Sequence, residues 1–144
     1  TFSIDSHEIM HFMQQDSHSK VLNRVMGKEM SHILGTLKSN GQIFLINPQG
    51  ILIGPNGRIE TAGFVGSTLD ISDADFIKGQ ELFFHNPGPG TLCNLGTITT
   101  PSGNITLISR AVKNEGTLQA NNGLVSLAAG VEILLKPEGD TRIS

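Results

Sequence analysis

His7-Glu8-Ile9-Met10-His11 matches the H-E-x-x-H pattern, in which two imidazoles one helical turn apart hold Zn²⁺ and the intervening glutamate acts as general base. That chemistry requires a helix. Phe2-Ser3-Ile4 on one side and Gln14-Gln15-Asp16-Ser17 on the other leave room for only a short one. In a strand, residues four apart are separated by about 13 Å, too far to share an ion. Downstream, Glu29 and His32 stand in no zincin-like context, and His18, His32 and His85 share no metal spacing. No metal and no cofactor is expected.

Asp70-Ile71-Ser72-Asp73-Ala74-Asp75 is a second candidate, as a Ca²⁺ loop or as the acidic cluster of a β-helix polysaccharide lyase. It lacks the glycine of an EF-hand loop and contains no Lys or Arg to serve as the lyase base. The segment reads as a turn with an exposed acidic face. Gly63-Phe64-Val65-Gly66-Ser67 does not form a nucleophile elbow. Cys93, between Leu92 and Asn94, has no charged neighbour in the sequence to activate it and reads as a buried structural thiol. No catalytic residue is assigned.

The elements that would carry such residues follow from composition. The chain has 144 residues, 38% hydrophobic and only 16% charged, enough to fold around a core as one domain. Ten Lys and Arg against thirteen Asp and Glu, with no basic run, give no electrostatic basis for nucleic-acid binding. No apolar run reaches the roughly 18 residues of a membrane helix, so membrane insertion is not expected. Thr1 in place of an initiator Met implies a processed chain or a piece of a longer one. Fifteen Ile and fifteen Leu, interleaved with Asn, Thr and Ser, describe aliphatic strands joined by Asn/Gly turns.

The strands repeat. Asn94-Leu95-Gly96-Thr97-Ile98 recurs as Asn114-Glu115-Gly116-Thr117-Leu118, and Gly103-Asn104-Ile105-Thr106-Leu107 as Gly123-Leu124-Val125-Ser126-Leu127, both 20 residues later. Gly35, Leu37, Gly41 and Ile43 match Gly57, Ile59, Gly63 and Val65 at an offset of 22. Gly57 to Gly96 spans 39 residues, which is two coils or one coil with an inserted excursion. Within the repeats, Ile105 and Leu107 alternate with Asn104 and Thr106, the pattern of a strand with one buried face. Only Val21 to Leu37 is ambiguous, since its apolar residues also fit a helical stripe.

Short strands at a 20-residue period describe a parallel β-helix. One coil cannot stand alone: three or four inward aliphatics contribute about 1.5–3 kcal/mol each, whereas ordering each residue costs about 1–2 kcal/mol in backbone entropy. Asn47-Pro48-Gln49-Gly50 has the residue order of a type I turn. Gly54-Pro55-Asn56-Gly57 and Asn86-Pro87-Gly88-Pro89-Gly90 punctuate similarly.

The run Asn40-Gly41-Gln42-Ile43-Phe44-Leu45-Ile46-Asn47-Pro48-Gln49-Gly50-Ile51 resembles the signature of the two-partner secretion domain, the filamentous-haemagglutinin-type N-terminal domain of bacterial exoproteins. The similarity extends through Leu22-Asn23-Arg24-Val25, Ser31-His32-Ile33-Leu34-Gly35 and Gly66 to Phe76, and on into the later repeats. It implies an all-β, right-handed parallel β-helix with short extra-helical excursions. On that reading, residues 1–144 form one domain whose N-terminal cap is truncated. Within it, 1–34 hold the N-terminal strands and cap, 35–69 the early coils, 70–95 a coil or an excursion, and 96–144 the C-terminal coils.

The resemblance also implies a function: export of a large adhesin-like exoprotein through a partner outer-membrane β-barrel transporter, whose POTRA domains bind the chain while it is extended. The protein would be secreted or held at the bacterial surface after transiting the periplasm, and any host-cell or surface ligand would be met by the downstream passenger. By matching position, Asn47, Pro48, Gly50 and Ile51 inherit the secretion motif, with Asn23 and Arg24 from the upstream block. Two positions depart from the family pattern: Gln49 stands where Asn is usual, and Lys28-Glu29-Met30-Ser31 where Gly-Asn-Pro-Ser is frequent. The alternative is a β-helix carbohydrate-active enzyme or carbohydrate-binding module; a lyase would show acidic and basic groups converging on one face, whereas an export domain would show mainly polar, uncharged outward residues such as Asn104, Thr106, Thr117 and Ser126.

Overall fold

Glycine and asparagine punctuation limits the strands to between three and five residues. The computed structural model describes residues 1–137 and 141–143. Strands β1 (Ile9–Phe12) and β2 (Lys20–Arg24) open the chain. One coil follows as β3 (Ser31–Ile33), β4 (Thr36–Ser39) and β5 (Gln42–Ile46), and the next as β6 (Ile51–Ile53), β7 (Arg58–Glu60) and β8 (Gly63–Ser67). The chain then leaves the coils through helix α1 (Asp73–Lys78) and β9 (Leu82–Phe84). It returns for β10 (Leu92–Asn94), β11 (Thr97–Thr100) and β12 (Ile105–Ser109), then β13 (Val112–Asn114), β14 (Thr117–Ala120) and β15 (Val125–Ala129). Strands β16 (Ile133–Leu135) and β17 (Thr141–Ile143) end the described chain.

Corresponding strands of successive coils pair in parallel, in the orders β3-β6-β10-β13, β1-β4-β7-β11-β14 and β2-β5-β8-β12-β15. This is a parallel β-helix. The segment from Val21 to Leu37, open between helix and strand in the sequence, supplies β2, β3 and the start of β4. Register aligns like with like: Leu37, Ile59 and Ile98 stack in one fully buried column, with Met10 before it and Leu118 after. Gly35, Gly57, Gly96 and Gly116 recur at one corner because the coils touch there: a methyl group on Gly96 would overlap the Gly57 carbonyl oxygen. The Asn of each N-x-G repeat has its own task. Asn94 Oδ1 accepts from Gly96 N at 3.1 Å, and its Nδ2 donates to Asn114 Oδ1 at 2.8 Å, one coil away.

The expectation of one buried face fails for the third sheet. In β5, β8 and β12, the residues between the lumen-facing ones are buried too, because the excursion lies on them. Phe44, Ile46, Val65 and Ile108 form a second core with Leu69, Ile71, Leu82, Phe84, Ile133 and Leu135. Thr106, expected to face outward as a polar surface residue, is buried beneath this layer. Strands β9, β16 and β17 form its own antiparallel sheet.

The stretch from 70 to 90 is therefore an inserted excursion, and β10 opens the next coil. Residues 133–135 and 141–143, expected within the C-terminal coils, belong instead to the antiparallel sheet; 138–140 and 144 lie outside the described residues. In place of the expected acidic turn, Ser72 caps α1 by accepting from Asp75 N at 3.1 Å, and Gly79, at φ 67°, ends it.

In the last coil, lumen-facing Val125 and Leu127 are 44% and 48% exposed, while their counterparts Ile105 and Leu107 one coil earlier are fully buried. Among the described residues, the outer edges of β13, β14 and β15 have no strand partner.

Candidate functional site

Asn47-Pro48-Gln49-Gly50 connects β5 to β6 at a corner of the helix. Gly50 N donates to Asn47 O at 3.0 Å, closing a turn, and Gln49 N donates to Asn47 Oδ1 at 2.9 Å. The other end of the Asn47 amide reaches back one coil, where Nδ2 donates to Glu29 O at 3.0 Å and to Ser31 Oγ at 2.9 Å. Both residues that depart from the family pattern here, Glu29 and Gln49, contribute main-chain atoms to these bonds, so their side chains are not what the turn requires. Gly50 has φ 125°, a conformation that favours glycine. Ile51 starts β6 as a fully buried lumen residue.

The following coil covers this turn. Gly90 N donates to Pro48 O at 2.9 Å, Ile51 N donates to Thr91 O at 3.0 Å, and Gly88 packs directly against Pro48. The proline-glycine run 86–90 is thus a strap over the turn, and its glycines leave no side chain where the two backbones touch. Asn47 and Gly50 are buried, while Pro48 and Gln49 are half-buried.

Arg24 and Asn23 lie on β2, whose register sets Asn23 beside Leu45 and Arg24 beside Ile46, the residue before the turn. Their side chains do not hydrogen-bond to the turn. Arg24 is directed at the excursion: Nε donates to Asp70 Oδ1 at 2.9 Å, Nη1 to Asp73 Oδ1 at 2.9 Å and Nη2 to Ile71 O at 2.8 Å. Asp73, with Asp70 adding, holds the guanidinium above its ordinary pKa against the opposing effect of partial burial. Asn23 shares the lumen side with Val21, and its Nδ2 is buried with no hydrogen-bond partner among the described residues. Sequence reasoning thus found the turn and β2 but missed what grips them: Ser31, the 86–91 strap and the aspartates. The strap had a signal in its Pro-Gly run; the Arg24 ion pairs had none.

The other chemical candidates take different roles. His7 lies in a turn and His11 in β1, so the H-E-x-x-H residues are not on a helix, and Glu8 Oε1 accepts from Asp5 N at 2.7 Å. Asp70 and Asp73 of the acidic cluster are paired with Arg24, and Asp75 accepts from Phe83 N. Cys93 is half-buried, with Leu52 and Lys113 opposite it in the adjacent strands, and not in the core as expected. Among the described residues, no group of three or more His, Cys, Asp or Glu side chains could hold a metal ion.

Three comparisons bear on this geometry. The model of the TPS secretion domain family matches residues 1–143. The crystal structure of the HMW1 secretion domain from Haemophilus influenzae superposes with a TM-score of 0.92 at 39% identity, covering 99% of this chain and 39% of that one. A heme/hemopexin-binding protein of Haemophilus influenzae is 32% identical over 139 residues, which is 90% of this chain and 15% of that protein. A second Haemophilus influenzae heme/hemopexin-binding protein is 35% identical over 71 residues, 49% of this chain and 8% of that protein. The chain therefore spans only a small part of the curated relatives it matches.

Proposed function

Because the chain belongs to the TPS secretion domain family, we propose that it directs the export of a larger exoprotein by engaging the POTRA domains of a partner outer-membrane transporter before the β-helix has formed. Asn47, Pro48, Gly50 and Ile51 are the segment engaged, with Asn23 and Arg24 from the preceding strand. The observation that supports early engagement is burial. The Asn47 side chain is fully buried and committed to three hydrogen bonds, and Ile51 faces the lumen, so neither is accessible once the coils have closed. A partner that reads these residues must meet them in the extended chain.

The energetics of a solenoid favour such a window. A coil without neighbours leaves its lumen aliphatics in water and cannot offset its chain entropy, so the chain stays unfolded in the periplasm until coils accumulate on the far side of the membrane. The exoprotein ends up secreted or displayed at the cell surface, where its downstream passenger meets a host-cell or surface ligand.

Export of the parent protein through its partner barrel tests this reading. Asn47→Ala and Pro48→Ala should each reduce surface display, and should weaken capture of the unfolded chain by isolated POTRA domains. Ile59→Ala, a lumen change outside the motif, should leave that capture intact. Undiminished display for both motif variants, or equal capture of all three, would remove the recognition role from this segment.

A further inference from the structure

A cavity of about 410 Å³ lies between the third sheet and the excursion, within the size range of small-molecule sites. One wall is built by repetition. Lys20, Gln42 and Gly63 begin β2, β5 and β8 in register, and Asn104 stands level with Gly63 just before β12. Successive positions are therefore about 4.8 Å apart along the helix axis. The facing wall comes from two separate parts of the outer layer, Gly79-Gln80 with Leu82, and Leu135-Lys136-Pro137.

The chemistry of the lining is one-sided. Its full charges among the described residues are the ammonium groups of Lys20 and Lys136, with His18 beside them, and none of the described lining residues is a carboxylate, although the chain carries a net charge of -3. Neither lysine has an ion-pair partner among the described residues. Between them stand amides with capacity to spare. Asn104 uses its Oδ1 to accept from Leu124 N at 2.8 Å, while its Nδ2 has no protein partner among the described residues. Gln42 holds Ser17 O only at the 3.5 Å limit. The back of the cavity is apolar, from Phe44, Leu82 and Leu135. Gly63 and Gly79 carry no side chain that would fill it.

We propose that this groove binds a short acidic saccharide, a uronate disaccharide in size and charge. Lys20 and Lys136 take the carboxylates, the Gln42, Gln80 and Asn104 amides pair with ring hydroxyls, and the C–H faces of the sugars lie on the apolar back wall. Separated cations with amides between them and an apolar floor suit a ligand that distributes carboxylate, hydroxyl and hydrocarbon along its length. Inorganic phosphate would satisfy only the lysines. The site is built by the folded layers and so is independent of how the chain is exported.

Titration of the 144-residue chain with digalacturonate, followed by amide chemical shifts, tests the assignment. Shifts should concentrate at Lys20, Gln42, Asn104 and Lys136. Lys20→Gln and Lys136→Gln should each weaken binding by roughly tenfold, the loss of one charged hydrogen bond, with an unchanged denaturation midpoint. Neutral lactose and inorganic phosphate should bind far more weakly. No saturable binding of digalacturonate, shifts centred elsewhere, or equal affinity for lactose or phosphate would overturn the proposal.

Discussion

Arg24 Nε donates to Asp70 Oδ1 at 2.9 Å across 46 residues of sequence, tying the second strand of the chain to the point where the excursion leaves the coils. The same guanidinium also bonds Asp73 and the Ile71 carbonyl, so a single planar fork holds three points of the excursion. Exposure limits its energetic weight: the Arg24 side chain is 25% exposed, Asp70 39% and Asp73 75%. Arg24→Lys, which keeps the charge but loses the fork, should cost about 1 kcal/mol in urea denaturation and speed amide exchange in α1 and β9. Because the ion pairs raise the Arg24 pKa, the contribution from its ionisation is complete below the ordinary arginine value and lost only as pH climbs through the raised one. The difference between wild type and Arg24→Lys should therefore show no loss from arginine deprotonation between about pH 6 and 9.

Asn47→Ala should lower stability by about 1–3 kcal/mol, because it leaves Ser31 Oγ without its partner at a buried site and Glu29 O and Gln49 N without theirs at part-buried ones. Asn47→Asp keeps the acceptor for Gln49 N but turns a second oxygen toward Glu29 O. It should rescue little of that loss. Equilibrium denaturation of the purified chain measures both, and a cost below about 0.5 kcal/mol for Asn47→Ala would show that the turn holds without its amide.

Gly90→Ala should be among the most damaging single-methyl additions. The added carbon would overlap the backbone of Gln49 and Gly50, where neither segment has a flexible side chain to move aside. A loss of at least about 2 kcal/mol is expected, with the new exchange of amides centred on Pro48 to Thr91 contacts. Gly27→Ala, where nothing approaches within 4 Å, is the matched control and should be near neutral.

Leu107 and Leu127 occupy the same lumen position one coil apart, yet one is fully buried and the other 48% exposed. Leu107→Ala should cost about 2–5 kcal/mol and Leu127→Ala less than about 1 kcal/mol in this chain. Similar losses for the two would mean that the last coil is covered in solution.

The coils were legible because their constraints are local and repeated. A lumen column accepts aliphatics only at fixed register, and a touching corner accepts only glycine, so Gly96 with Gly116 and Ile105 with Val125 print the period directly into the sequence. The second core was not, because its covering layer is used once and its parts lie far apart: Leu82, Phe84 and Ile133 follow no period. One signal was present in the unbroken apolar run Ile43-Phe44-Leu45-Ile46, which marks a strand buried on both faces. Likewise the Asn47 turn could be read from its own four residues, while its bonds to Glu29 and Ser31 and the strap at 86–91 depend on how the coils stack.

The antiparallel sheet of the excursion sets a clock within the chain. Every coil pairs with the coil just before it, so the helix can close in the order in which residues emerge. Strand β9 has no such neighbour; its sheet partner is β16, with Leu82 opposite Leu135 and Phe84 opposite Ile133. Until those residues arrive, about fifty positions later, Phe44, Val65 and Ile108 have only an unfinished lid over them. The solenoid therefore zips from its beginning but latches from its end, and a chain halted between residues 110 and 130 would have coils without a finished wall.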